Sequence, residues 1–187
     1  MKIFVLSCLC LFCVFLSYTH SQEVEMKDNT DFNQALPLSS KKKINKANKH
    51  FEKAERIMNK ARVYETEIEE IKNNSRRAKT RKVTKLEEKK MQKEIEAFYY
   101  YQQAHKRLYT VYNKNLKTFR ESSSDPSAGI DLEKSARTAY KKSKKFRRKA
   151  ENKGDIDKAY SLFSDAYEFE INAINFQIDA HSYYQSA

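Results

Sequence analysis

Across 187 residues the chain has only 2 glycines, Gly129 and Gly154, and 2 prolines, Pro37 and Pro126. Soluble proteins average roughly 7% Gly and 5% Pro, so residues that suit tight turns are scarce. A β-sandwich or barrel needs such residues at each of its many turns, and an α/β nucleotide fold needs a glycine-rich loop. Both are excluded on that ground. The chain is also too apolar to stay disordered, with 40% hydrophobic and 12% aromatic residues beside 33% charged ones. The expected fold class is all-α.

Residues 1–21 are set apart from that fold. Lys2 is followed by an uncharged, largely apolar run from Ile3 to Leu16, then by a polar stretch with small Thr19 and Ser21. The run is shorter than the roughly 20 residues that span a bilayer, and the layout is that of a secretory signal peptide cut before Gln22. The expected location is therefore exported: periplasmic, associated with the cell envelope, or secreted. Cys8, Cys10 and Cys13 all fall in this segment, so the mature chain is expected to carry no disulfide and no Cys-ligated metal.

Residues 22–38 are polar, lack periodicity and contain Pro37, and are expected to be a flexible lead-in. Residues 39–187 are expected to form a single helical domain of four segments, paired as two antiparallel helical hairpins. The segments run over about 41–72, 81–120, 131–153 and 155–184, with Ser39 or Ser40 as the first N-cap. A polar turn covers 73–80, and a loop rich in Ser, Asp, Pro and Gly covers 121–129. Gly154 is expected to close the third segment as a C′ glycine, and Asp155 to cap the fourth.

Apolar spacing supports these helices. The first places Ile44, Ala47, Phe51, Ala54, Met58, Ala61 and Ile68 on steps of three and four, missing a beat at Glu65. The fourth repeats Ala159, Ala166, Ala173 and Ala180 every seven residues. Leu162, Phe169, Phe176 and Tyr183 flank that line on one side, and Tyr160, Tyr167, Ile174 and His181 on the other. A face this wide belongs to a central helix that neighbours approach closely.

All four segments share one stripe of two small residues bracketing an aromatic. It reads Ala47-x3-Phe51-x2-Ala54, Ala97-x3-Tyr101-x2-Ala104, Ala136-x3-Tyr140-x2-Ser143 and Ala159-x3-Phe163-x2-Ala166. The stripe resembles the second helix of the tetratricopeptide repeat, most clearly over residues 154–169. The resemblance implies a short helical repeat. Against it, the copies are spaced 50, 39 and 23 residues apart, and Arg147 stands where that family has a small residue. A four-helix bundle is the other arrangement of the same hairpins.

Chemistry-bearing motifs are few. His50, His105 and His181 stand in no metal-binding spacing, and His105 and His181 flank the small-residue stripe as hydrogen-bonded core histidines would. No phosphate loop or nucleophile elbow occurs. Glu168 and Glu170 are two apart on a helix and point in different directions, although Glu170 and Gln177 fall at the edge of the apolar face. No enzyme activity, cofactor or metal is expected.

Charge carries more. The formal net charge is +12, with a net +19 over residues 41–154 and −5 over 155–187. Lys41–Lys43 and Arg76–Lys82 form clusters, and the peak is residues 141–149, seven of nine basic. With Leu132, Ala136, Ala139, Ser143, Phe146 and Ala150 as the inner face, Lys141, Lys145 and Arg148 share the outer side, with Lys142, Lys144 and Lys149 alongside. Such a face either keeps the protein soluble or binds an anionic partner, a membrane surface or envelope polysaccharide in place of nucleic acid. In Phe98-Tyr99-Tyr100-Tyr101, Tyr99 lies opposite the buried stripe and offers an interface to a protein partner or a second copy of the chain. The expected function is that of an exported adaptor or structural component of the cell envelope. The rival reading is a secreted enzyme or ligand-binding bundle with a site in its core.

Overall fold

In a computed structural model that describes residues 24–74 and 80–187, every regular element is an α-helix. The described residues form α1 Thr30–Ala35, α2 Leu38–Asn74, α3 Thr80–Ser122, α4 Ser127–Glu151 and α5 Ile156–Ser186. None of these helices is long and apolar enough to cross a membrane. Residues 1–21, read above as a signal peptide, lie outside the described residues, as do residues 75–79 of the turn and basic cluster that follow α2.

The helix ends show which local signals acted. The backbone N–H groups of Ser40 and Lys41 donate to the Pro37 carbonyl at 2.9 and 3.1 Å, so α2 starts at Leu38. Ser39 and Ser40 are therefore inside the helix and not its cap. Ser40 is buried, and its hydroxyl accepts from the Asn115 side-chain amide at 3.1 Å. Asp155 caps α5 as expected, its carboxylate accepting from the backbone N–H of Asp157 and Lys158 at 3.1 and 3.2 Å.

The glycines behave differently from expectation. The loop before α4 shrinks to residues 123–126, and Gly129 lies inside the helix. There the Tyr184 ring presses on it: a Cβ would stand 2.2 Å from Tyr184 Cε1. Gly129 is thus a close-approach glycine and not a turn residue. Gly154 is not a left-handed C′ residue either. α4 ends at Glu151, and neither glycine has a positive φ.

α2 runs antiparallel to α3, joined by Ser40–Asn115 near one end and by a Lys90–Glu65 ion pair toward the other. α4 runs antiparallel to α5, from Tyr184–Glu133 at 2.7 Å to the stacked rings of Phe146 and Phe169. The two pairs meet through α3 and α5, which are parallel. Phe98 packs near Tyr160 and Tyr167, His105 meets Glu170, and Gln177 donates to the Tyr109 carbonyl at 3.2 Å. The alanine line of α5 is buried along its whole length, so α5 holds the central place its breadth called for.

The stretch expected to be a flexible lead-in is instead docked over its described part. α1 is short, but it buries Phe32, and Leu36 follows one turn later. Phe32 stacks between Tyr112 and His181, with ring centroids 4.3 and 4.1 Å away. Upstream, Lys27 and Asn175 form a backbone-to-amide hydrogen bond of 2.8 Å, and the Lys27 ammonium pairs with Asp179 at 2.7 Å. Aromatic burial and these polar ties hold a segment that lacks helical periodicity.

Candidate functional site

The small residues Ala136, Ala139, Ser143 and Ala150 let α4 lie close on α5, and they fix which of its side chains face out. Of the seven basic residues in 141–149, six point to solvent: Lys141, Lys142, Lys144, Lys145, Arg148 and Lys149 are all exposed. Lys141, Lys145 and Arg148 form the outermost stripe. Lys142 lies over the Phe169 ring, Lys144 over Tyr140 and Lys149 over Phe146, with Nζ 4.6–5.7 Å from the ring centroids. These rings receive the lysine stems and keep the ammonium groups at the surface. Among the described residues α4 forms ion pairs through Lys134, Glu133 and Arg147, none of which engages the six. The face is a positive field without local compensation.

The seventh basic residue turns inward. Arg147 is 2% exposed, one turn beyond buried Ser143, and its Nε and one terminal nitrogen donate to Glu170 at 2.5 and 2.9 Å. His105 Nδ1 completes the group at 2.9 Å from the second Glu170 oxygen. Burial acts to raise the Glu170 pKa, and the hydrogen bonds from His105 and Arg147 with the Arg147 charge overcome it, holding the carboxyl below its ordinary value. An ionised carboxylate only accepts, so His105 Nδ1 carries the proton.

Sequence reading put Arg147 in the basic run and Phe146 on the inner face. The structure leaves Phe146 half-buried and sends Arg147 to the core. The signal was present in the phase, since 143, 147 and 150 share a stripe, but it needed Glu170 from the next helix as partner. Glu168 is half-buried and takes no part in this cluster. Among the described residues no group of three His, Cys, Asp or Glu side chains is placed to hold a metal ion.

Within Phe98–Tyr101, Phe98 and Tyr101 are buried, and Tyr100 sits beneath the Lys53 ammonium at 4.3 Å. Tyr99 is the exposed ring, 42% accessible, with one face leaning on Phe163 at 5.3 Å between centroids. It stands on α3 beside the start of α5. No protein-family model, no curated protein and no solved structure matches the chain.

Proposed function

We propose that the protein is an exported, non-enzymatic helical adaptor of the cell envelope that docks on an anionic surface through the outer face of α4. The observation that carries this reading is the six exposed cations of α4 that no acid on the described residues pairs. Like charges one turn apart weaken a helix by about 0.2–0.5 kcal/mol per pair, and solubility alone is served as well by mixed charges. An anionic surface offsets that cost by supplying the missing counter-charge. Tyr99 adds a separate contact for a protein partner or a second copy. For the arrangement of the hairpins we favour a four-helix bundle with α3 and α5 drawn together. In a tetratricopeptide-like stack α4 would pack on α2 and α3, and here its backbone meets α3 only slightly.

Replacing Lys141, Lys145 and Arg148 by Glu is expected to abolish sedimentation with anionic vesicles or envelope fragments while leaving the helical circular dichroism unchanged. Wild-type binding is expected to weaken steeply with salt, because the field is screened within about 8 Å at physiological ionic strength. Equal association of wild type and triple variant, or none by either at low salt, would overturn the proposal.

A further inference from the structure

The seam between α2 and α3 changes character along its length. Toward the turn that joins the two helices, cations of one face acids of the other: Lys72 and Glu87 are 3.1 Å apart, Lys82 and Glu67 3.0 Å, Lys90 and Glu65 2.5 Å. The opposite end has no acid to offer. Residues 38–51 and 97–120 each carry five Lys or Arg and not one Asp or Glu. At that end the helices leave a groove of about 400 Å³. Lys43 and Lys46 wall it from α2, Gln103, Lys106 and Arg107 from α3, and buried Val111 lies between.

We propose that this groove binds a compact, multiply charged, phosphate-bearing anion. Its two walls present ammonium and guanidinium groups to each other, and no ion pair among the described residues engages any of the four. Elsewhere along the same seam a glutamate fills the position across from each paired lysine. Here that position is open, and an anion bridging the walls relieves the repulsion between them. The positive field reaches His50 on the same seam, whose pKa is lowered first by burial and then by the charges of Arg107 and Lys53.

The chemistry of the walls suits phosphate. Arg107 brings a planar fork matched to two oxygens, the lysines bring mobile point charges, and Gln103 adds a neutral amide donor. The volume lies within the ~300–1,000 Å³ range of small-molecule sites, and Val111 gives an apolar rest for the body of a phosphorylated solute. Because α4 contributes no residue, the site is separate from the face proposed above.

Titration of the full protein with inorganic pyrophosphate at low salt, followed by calorimetry, tests this directly. Wild type is expected to show saturable one-site binding. The double variant K46Q/R107Q is expected to bind about tenfold more weakly or worse, and the α4 variant K141Q/K145Q/R148Q to bind as wild type does. Absence of saturable binding, an unaffected double variant, or an equal loss in the α4 variant would each overturn the proposal.

Melting gives a second readout. Without anion, K46Q/R107Q is expected to melt at or above the wild-type temperature because a repulsion is gone, and pyrophosphate is expected to raise the melting temperature of wild type alone. A lower melting temperature of the anion-free double variant would mark the cations as part of the fold and overturn the site. In the α4 variant, competition by vesicles with phosphorylated inositol headgroups assigns the phosphate to a lipid, and lack of competition assigns it to a free solute.

Discussion

Glu170 and His181 lie about three turns apart on one face of α5 and show two ways of burying a titratable side chain. Glu170 has both oxygens occupied, by Arg147 and His105, so its charge is compensated in place. His181 is held by rings: stacked on Phe32 at 4.1 Å and edge-on to Phe119 at 4.5 Å, with Nε2 buried and unpartnered. Burial lowers the His181 pKa from its ordinary 6.5, with only the Asp31 charge acting the other way. The folded protein therefore keeps the imidazole neutral where the unfolded chain already takes up a proton. Stability is full above about pH 6.5 and is lost as pH falls from there toward the folded pKa. His181→Phe keeps the stacking and removes the titration. Its unfolding free energy is expected to fall less than that of wild type between pH 7 and 5, by at most about 1.4 kcal/mol per pH unit. Parallel pH profiles in denaturant titrations would show that His181 is not a source of the dependence.

Among the elements, α5 was the most legible in the sequence, because its alanines recur every seven residues and large side chains border them without a gap. Ala166 is fully buried and Ser161 is exposed. Ala166→Leu is expected to overpack the core and cost about 1–3 kcal/mol, while Ser161→Leu stays within about 0.5 kcal/mol. Equal, small effects in a denaturant melt would contradict the packing described here. The same periodic reasoning missed α1, since six residues give less than two turns and its hold comes from one aromatic and distant partners. It also counted Arg147 in the basic run of α4 without placing it in the core. Spacing within one helix tells which positions can be buried, but a buried cation is fixed by the carboxylate waiting on another helix. For the outer face the reading needed no partner, and the six exposed cations stand where the phase put them.

At the scale of the molecule, the imbalance of charge is the dominant feature. The net charge of +12 is concentrated on α4 and on the acid-free end of the α2–α3 pair, while the ion pairs at the other end of that pair are exposed. Exposed pairs contribute little, typically under about 1 kcal/mol each. Raising ionic strength from about 0.01 to 0.15 M shortens the screening length from about 30 to 8 Å. The melting temperature is expected to rise with it, by about 2–4 °C for each kcal/mol of repulsion removed. A fall in scanning calorimetry would mean that the Lys–Glu pairs outweigh the unpaired cations.

The docking of residues 25–36 on α5 also sets a schedule for assembly. Asn175 binds Lys27 and the Glu25 carbonyl, contacts that span 148 and 150 residues of chain. A ribosome delivers α5 after α1 to α4. The nascent chain can zip α2 onto α3 from local contacts, and Phe32 can already meet Tyr112, but the other face of Phe32 and the inner rings of α3 lack their α5 partners until α5 emerges. During that interval the chain carries an open aromatic seam on α1 and α3, and closure comes as one late step that joins α1 and α3 to α5.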